Sequence, residues 1–286
     1  MNILFIGDIV GRPGREAVRK GLRGIVEHHR VDFVIANGEN AAAGFGITKD
    51  LGEALFEMGI DVMTSGNHIW DKKEALDYIA VEHRLLRPAN YPAGVPGRGS
   101  YVAHSGDGRA VGVVNVMGRV FMTPIDDPFA VALREIEAIR HKTRLIIVDF
   151  HAEATSEKMA MGWHLDGKAT LVVGTHTHVQ TADERILPQG TAYLTDAGMT
   201  GPHDSIIGME REPSLARFLT GMPNKFEPAT GNPRLNGIVV AADDKTGRAT
   251  AVTRISYSEQ ELLALTKTTE HAPASAGATA GKSVQR

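Results

Sequence analysis

Apolar residues run along this chain in short blocks, and several blocks stop at polar residues that can carry chemistry. Residues 2–7 contain Ile3-Leu4-Phe5-Ile6 and close on Gly7-Asp8, the pattern of a buried strand. Pro13 then opens a stretch in which Val18, Leu22, Ile25 and His29 recur at helical spacing on one face. Val31 to Ala36 is a second apolar strand, closed by Asn37-Gly38-Glu39-Asn40. Thr48 is placed to cap a helix carrying Leu51, Leu55 and Met58, with Gly59 as its stop. A third strand, Asp61 to Thr64, ends in Ser65-Gly66-Asn67-His68. This alternation of strands and helices predicts strands side by side with helices over the sheet, because parallel strands need a long crossover.

The middle of the chain is more irregular. Residues 88–99 are rich in Pro and Gly and read as a loop. Tyr101–His104 and Ala110–Val116 pair as strands around the Gly106-Asp107-Gly108 turn. A helix from about Pro128 to Lys142 directs Leu133, Ile136 and Ile139 inward and leads to the strand Leu145 to Asp149, which ends at His151. Another helical segment leads to Leu171-Val172-Val173, which ends at Gly174-Thr175-His176-Thr177-His178. Short strands follow near Arg185–Leu187 and Ala192–Thr195, and a hairpin pairs Asn236–Ala242 with Ala249–Ser256. Residues 1–258 read as a single domain and 259–286 as a largely disordered, low-complexity tail, turning to Ala, Ser, Thr and Gly from about Thr266. Within that tail Gly277 to Ser283 superficially matches a phosphate-binding loop, but its spacing is one residue short and no strand precedes it.

Composition narrows the chemistry. The formal net charge of −3 gives no broad basic surface, so direct nucleic-acid binding is not expected. With no cysteine there is no disulfide framework, thiolate zinc site or cysteine nucleophile. Metal ligands must come from His, Asp, Glu and Asn. No apolar run approaches the length of about 18 residues that suggests a membrane span. Met1 runs straight into a strand pattern without a basic leader, and a cytoplasmic location is the expectation.

Five predicted strands end in a candidate ligand or proton-transfer group. These are Asp8, Glu39 with Asn40, Asn67 with His68, His151, and the pair His176 and His178. In an open α/β sheet the carboxyl ends of the strands form the crevice that holds ligands, so residues distant in sequence converge there. Taken singly, each has a plainer reading: Asp8 can begin a turn, and Asn40 or Asn67 can be a turn residue. Structural histidines, however, have no reason to gather at strand ends. Asp, Glu, Asn and His without Cys suit Mn²⁺, Fe²⁺ or Zn²⁺. The set exceeds the three or four protein ligands of one catalytic ion, and Glu39 could bridge two divalent ions. His28, His29, His83, His104, His141 and His164 lack such partners nearby in sequence and read as solvated.

The segments Gly7-Asp8, Asn37-Gly38-Glu39-Asn40, Gly66-Asn67-His68 and Gly174-Thr175-His176-Thr177-His178 resemble, in order, the motifs of calcineurin-like metallophosphoesterases. More closely, Gly7-Asp8-Ile9-Val10-Gly11-Arg12-Pro13-Gly14 and Thr191 to Pro202 look like the YmdB-type branch of that superfamily. The resemblance implies a four-layer α/β/β/α sandwich and a dinuclear centre. It also implies phosphodiesterase activity on small phosphodiesters, with 2′,3′-cyclic nucleotides as substrates, and is compatible with a homo-oligomer. By position, Asp8, Glu39, Asn40 and His178 would hold one metal, and Glu39, Asn67, His151 and His176 the other. Two positions depart from the superfamily pattern: Val10 stands where a histidine ligand is usual, with Asn40 as its substitute, and Glu39 replaces the bridging aspartate.

His68, beside the ligand Asn67, is the natural general acid, and Asp71 could either orient it or cap a helix. Arg119 could bind phosphate while Phe121 stacks on a base, with a surface ion pair and a core aromatic as the plainer readings. His203 reads as a loop residue away from substrate. A dinucleotide-binding fold would need G-x-G-x-x-G where this chain has Gly7-x3-Gly11-x2-Gly14. The remaining alternatives are a dinuclear hydrolase of another ester or amide class, and a regulatory protein with a residual metal site.

Overall fold

The computed structural model describes residues 1–270 of the chain. β1 (Asn2–Ile6) and the two-residue β2 (Asp8–Ile9) lead into α1 (Gly11–His29). β3 (Phe33–Asn37), α2 (Lys49–Glu57) and β4 (Val62–Thr64) follow, then a 3₁₀ turn at Asn67–Trp70 and α3 (Lys73–Val81). The second half contains β5 (Ser100–His104), β6 (Ala110–Met117), α4 (Pro128–Arg140), β7 (Ile146–His151), α5 (Thr155–His164) and β8 (Leu171–Thr175). The chain continues through β9 (Arg185–Ile186), β10 (Ala192–Leu194), β11 (Met199–Pro202), α6 (Arg211–Thr220), β12 (Pro233–Ala242), β13 (Ala249–Ser258) and α7 (Glu259–Glu270).

Two sheets result. The first runs β2-β11-β12-β1-β3-β4 with β13 also paired to β12, and the second runs β5-β6-β7-β8-β10-β9. β1, β3 and β4 are parallel neighbours, as are β6, β7, β8 and β10. The C-terminal hairpin enters antiparallel, β12 lying directly on β1.

Alternation along the strands decides what fills each layer. Ile3, Phe5, Phe33 and Ile35 point between the sheets, against Val113, Ile147 and Val173. Their neighbours Leu4, Ile6 and Val34 point the other way and meet Val18, Leu22 and Ile25 of α1. On the far side Val148, Phe150 and Val172 pack under Ile136 of α4 and Met161 of α5. Three apolar cores thus bind four layers in the order α/β/β/α. Each fully buried Ile, Leu or Phe contributes about 1.5–3 kcal/mol, and a one-residue slip would reverse every assignment.

Thr48 caps α2 as expected, its hydroxyl accepting from the Leu51 amide at 3.4 Å. α1 starts two residues before Pro13. The segment expected to be tail begins instead with α7, because its apolar positions have a partner. Leu262 is fully buried with Leu22 and Ile25, Lys20 pairs with Glu259 at 2.5 Å, and Thr266 donates to the Lys20 carbonyl. The remainder of that segment, with the loop-like Gly277–Ser283 stretch and His271, lies outside the described residues. Among the described residues no helix is long and apolar enough to cross a membrane.

Candidate metal centre

Both sheets deliver polar residues to one rim. β1 runs out through Gly7 into Asp8, β3 into Glu39 and Asn40, and β4 into Asn67 and His68; β7 ends on His151, and β8 leads to His176 and His178. The burial is severe for such groups: Asp8, Glu39, Asn40 and His151 are all 2% exposed or less.

The side chains form two groups that meet at Glu39. In the first, His151 Nε2 lies 3.0 Å from Glu39 Oε1, 3.0 Å from Asn67 Oδ1 and 3.1 Å from His176 Nδ1. Ligand atoms of Glu39, His151 and His176 all lie within 4.8 Å of one another. In the second, Asn40 Nδ2 lies 3.1 Å from His178 Nε2 and 3.5 Å from Glu39 Oε1, while His178 Nε2 stands 3.9 Å from Asp8 Oδ1. All seven residues singled out as candidate ligands are therefore brought together on this rim.

These residues fit divalent cations on two observations. Asp8 Oδ1 is buried without a hydrogen-bond partner among the described residues, a costly state for a carboxylate that a cation would relieve. The nitrogen and oxygen donors suit borderline and hard divalent ions. Asn40 would use its Oδ1, which a half-turn of the amide exchanges with Nδ2.

The charges are already arranged for that exchange. Burial would raise the Glu39 pKa, but the charges and hydrogen bonds of His151 and His68 bring it down to about 2. Burial would lower that of His151, yet Glu39, with Asp8 and Asp149, raises it to about 9. Burial and the neighbouring His151 drop His176 to about 3, and burial raises Asp8. The raised pKa of His151 favours a proton on it that satisfies Glu39; a cation held by the same atoms would displace that proton.

Supporting groups fix the candidate ligands, and sequence reasoning did not find them. His151 Nδ1 faces Thr175 Oγ1 at 2.9 Å, and that hydroxyl donates to the buried Asp149 at 2.7 Å, which leaves Nε2 for the centre. Burial raises the pKa of Asp149 to about 7. His176 and His178 both have positive φ, 99° and 65°, uncommon for residues with a side chain. Asp196 clamps the residue between them, accepting from the Thr177 amide at 3.2 Å and hydroxyl at 2.7 Å. A buried Lys158 pairs with Asp196 at 2.5 Å. The available signals were Asp149 inside an apolar strand and Asp196 within the Thr191–Pro202 motif. His178 Nδ1 is held by the Ile207 carbonyl at 2.8 Å.

His68 sits at the edge of this arrangement. Its amide donates to Glu39 Oε2 at 3.0 Å and its Nδ1 faces Asp71 Oδ2 at 2.8 Å, a contact that matches the first of the two readings open for Asp71. A cavity of about 720 Å³ opens over Glu39, Asn40, His68, His176 and His178. Arg119 and Phe121 do not line it: Arg119 faces Asp127 at 3.5 Å on the surface, and Phe121 is 91% exposed. His203 borders a different hollow. Among the histidines read as solvated, His29 instead meets Tyr257 Oη at 2.8 Å and His164 packs edge-on against Phe129.

Comparison with known proteins agrees with this architecture. The sequence model of the YmdB-like protein family matches residues 4–255. A 2′,3′-cyclic-nucleotide 2′-phosphodiesterase of Bacillus subtilis is 49% identical over 264 residues, covering 92% of this chain and 99% of that protein. A crystal structure of a hypothetical protein from Thermus thermophilus aligns with TM-score 0.84 at 46% identity, over 90% of this chain and 99% of that one. That of a novel phosphatase from Mycoplasma pneumoniae aligns with TM-score 0.84 at 34% identity, over 90% and 93% of the two chains.

Proposed function

The chain belongs to the YmdB-like protein family, and from that premise we propose that it is a phosphodiesterase using two divalent metal ions to open 2′,3′-cyclic nucleotides. The observation that carries this reading is the position of Glu39, in contact with two ligand groups at once. Asp8, Glu39, Asn40 and His178 would hold one ion, and Glu39, Asn67, His151 and His176 the other. The donor set favours Mn²⁺ or Fe²⁺, with Zn²⁺ also accommodated. When bound, the ions supply Lewis acidity toward phosphoryl oxygens and water. The Bacillus subtilis relative, named for 2′,3′-cyclic nucleotides, supports the substrate class.

The chain's own residues set up the remaining chemistry. Glu39 holds the His68 amide through Oε2, so the proton donor and the proposed bridge are fixed to each other. Asp71 occupies His68 Nδ1 and orients the ring, leaving Nε2 as its proton-transfer atom. Water adds to phosphorus, one ribose P–O bond breaks, and His68 Nε2–H protonates the departing oxygen. The proton released by water goes to solvent, from which His68 is reprotonated. A proton donor matters only where the leaving group is a poor one. The metal-loaded protein is expected to hydrolyse 2′,3′-cyclic AMP, and His68→Ala to lower that rate at least tenfold more than the rate on bis-p-nitrophenyl phosphate, whose leaving group needs no proton. Equal losses on both would refute the acid role, and a loaded protein inert on both would refute the function.

A further inference from the structure

We propose that the apolar half of the cavity is the seat of the substrate's nucleobase, which makes Phe45, Phe218 and Phe226 specificity-determining residues. The proposal rests on the phosphodiesterase reading and adds to it the part of the substrate that lies away from phosphorus.

The cavity lining joins the candidate metal-centre residues Glu39, Asn40, His68, His176 and His178 to the apolar residues Phe45, Met209, Phe218 and Phe226, with Arg217 also among them. Its volume of about 720 Å³ falls within the range of about 300–1,000 Å³ common for small-ligand sites. A base carried on a ribose whose 2′,3′-phosphate sits at Glu39 and His68 must leave the polar wall, and this side offers aromatic faces to stack on.

Local structure shows how these rings come to be there. The loop after Glu39-Asn40 turns back through Ala43, Gly44 and Gly46, whose φ values are 56°, 86° and 77°. That turn presents Phe45 edge-on to His68, ring centroids 5.1 Å apart. The same ring thus touches the proposed acid and borders the apolar half. α6 adds Ser214, Arg217 and Phe218 to the lining. Only its Ser214 is buried, while Phe218 is 80% exposed, so burial in a core does not explain its aromatic residue. Phe226 follows in the connection to β12, with the Arg217 guanidinium 5.3 Å from its ring centre. An aromatic cavity wall with a cation beside it suits a flat, polarisable heterocycle.

Two substrates separate base recognition from chemistry: 2′,3′-cyclic AMP, and the methyl riboside 2′,3′-cyclic phosphate, which carries the same diester without a base. The wild-type protein is expected to favour the first in kcat/KM. Phe218→Ala and Phe226→Ala are each expected to raise KM for 2′,3′-cyclic AMP about tenfold, with kcat little changed and the base-free ester unaffected. Equal effects on both esters, or none on either, would overturn the seat. Sedimentation of the variants covers the other use of an exposed apolar helix: loss of an oligomer together with equal loss on both esters would make α6 an interface and overturn the proposal. Wild-type turnover of both esters without preference would remove the seat alone. Inertness on both would remove the phosphodiesterase reading, and the seat with it.

Discussion

Gly66 shows how much a single position carries. A Cβ placed there would lie 2.2 Å from Nε2 and Cδ2 of His151, a ring that is fully buried and held from behind by Thr175. The glycine of Gly66-Asn67-His68 therefore lets the chain leaving β4 pass against the His151 ring, a proposed metal ligand. Gly66→Ala is expected to destabilise the protein by about 1–3 kcal/mol and to abolish metal retention, measured by thermal melting and metal analysis of the purified variant. Normal metal content would contradict this account of the motif. His151 itself predicts a pH dependence. Its pKa in the metal-free fold, about 9, lies above the ordinary 6.5. A raised histidine stabilises the fold fully below pH 6.5, and that stability disappears as pH rises through 9. Melting temperatures of the stripped protein should fall across that window, and His151→Gln should flatten the fall. A stripped wild type with no decline would show that the Glu39–His151 pair does not hold the proton.

The elements position the centre through contacts that short-range patterns do not reveal. α5 carries Lys158 into the interior, where it meets Asp196 from the link between β10 and β11, and Asp196 clamps Thr177. Removing the lysine leaves a buried carboxylate without its cation. Lys158→Met is expected to cost about 3–5 kcal/mol in urea unfolding of the stripped protein and to weaken metal binding by loosening His176 and His178. Unchanged stability with unchanged affinity would contradict the clamp. Strands whose faces alternate, such as β1 and β3, were legible in the sequence because both faces enter cores. The amphipathic α1 was legible for the same reason. α6 was not, since a helix with one buried residue leaves no core-facing period to read. α3 buries only Ala75, Tyr78 and Ile79 of nine residues, a pattern too sparse to separate from a loop. α7 was hidden by composition: its few apolar residues have a partner only because α1 offers a face for Leu262.

At the scale of the molecule, the centre is a consequence of topology. Parallel strands in two facing sheets send their carboxyl ends to one rim, so seven residues between Asp8 and His178 meet without being near in sequence. That convergence could be read from strand ends alone, because apolar blocks stopping at Asp, Glu, Asn and His mark both the strands and the rim. The supporting shell could not: Asp149, Thr175 and Asp196 matter through distances between sheets and links, which no local pattern records. Nor could the aromatic wall, whose residues come from a loop, a helix and an irregular connection. The most direct test of a two-ion centre bridged by Glu39 is the number of Mn²⁺ ions bound per chain, counted with turnover of 2′,3′-cyclic AMP, in wild type and Glu39→Gln. The expected result is about two ions and full turnover for the wild type, lost on chelation and restored by Mn²⁺, against at most one ion and a rate reduced at least a hundredfold for the variant. Two ions and undiminished turnover in Glu39→Gln would contradict the bridge.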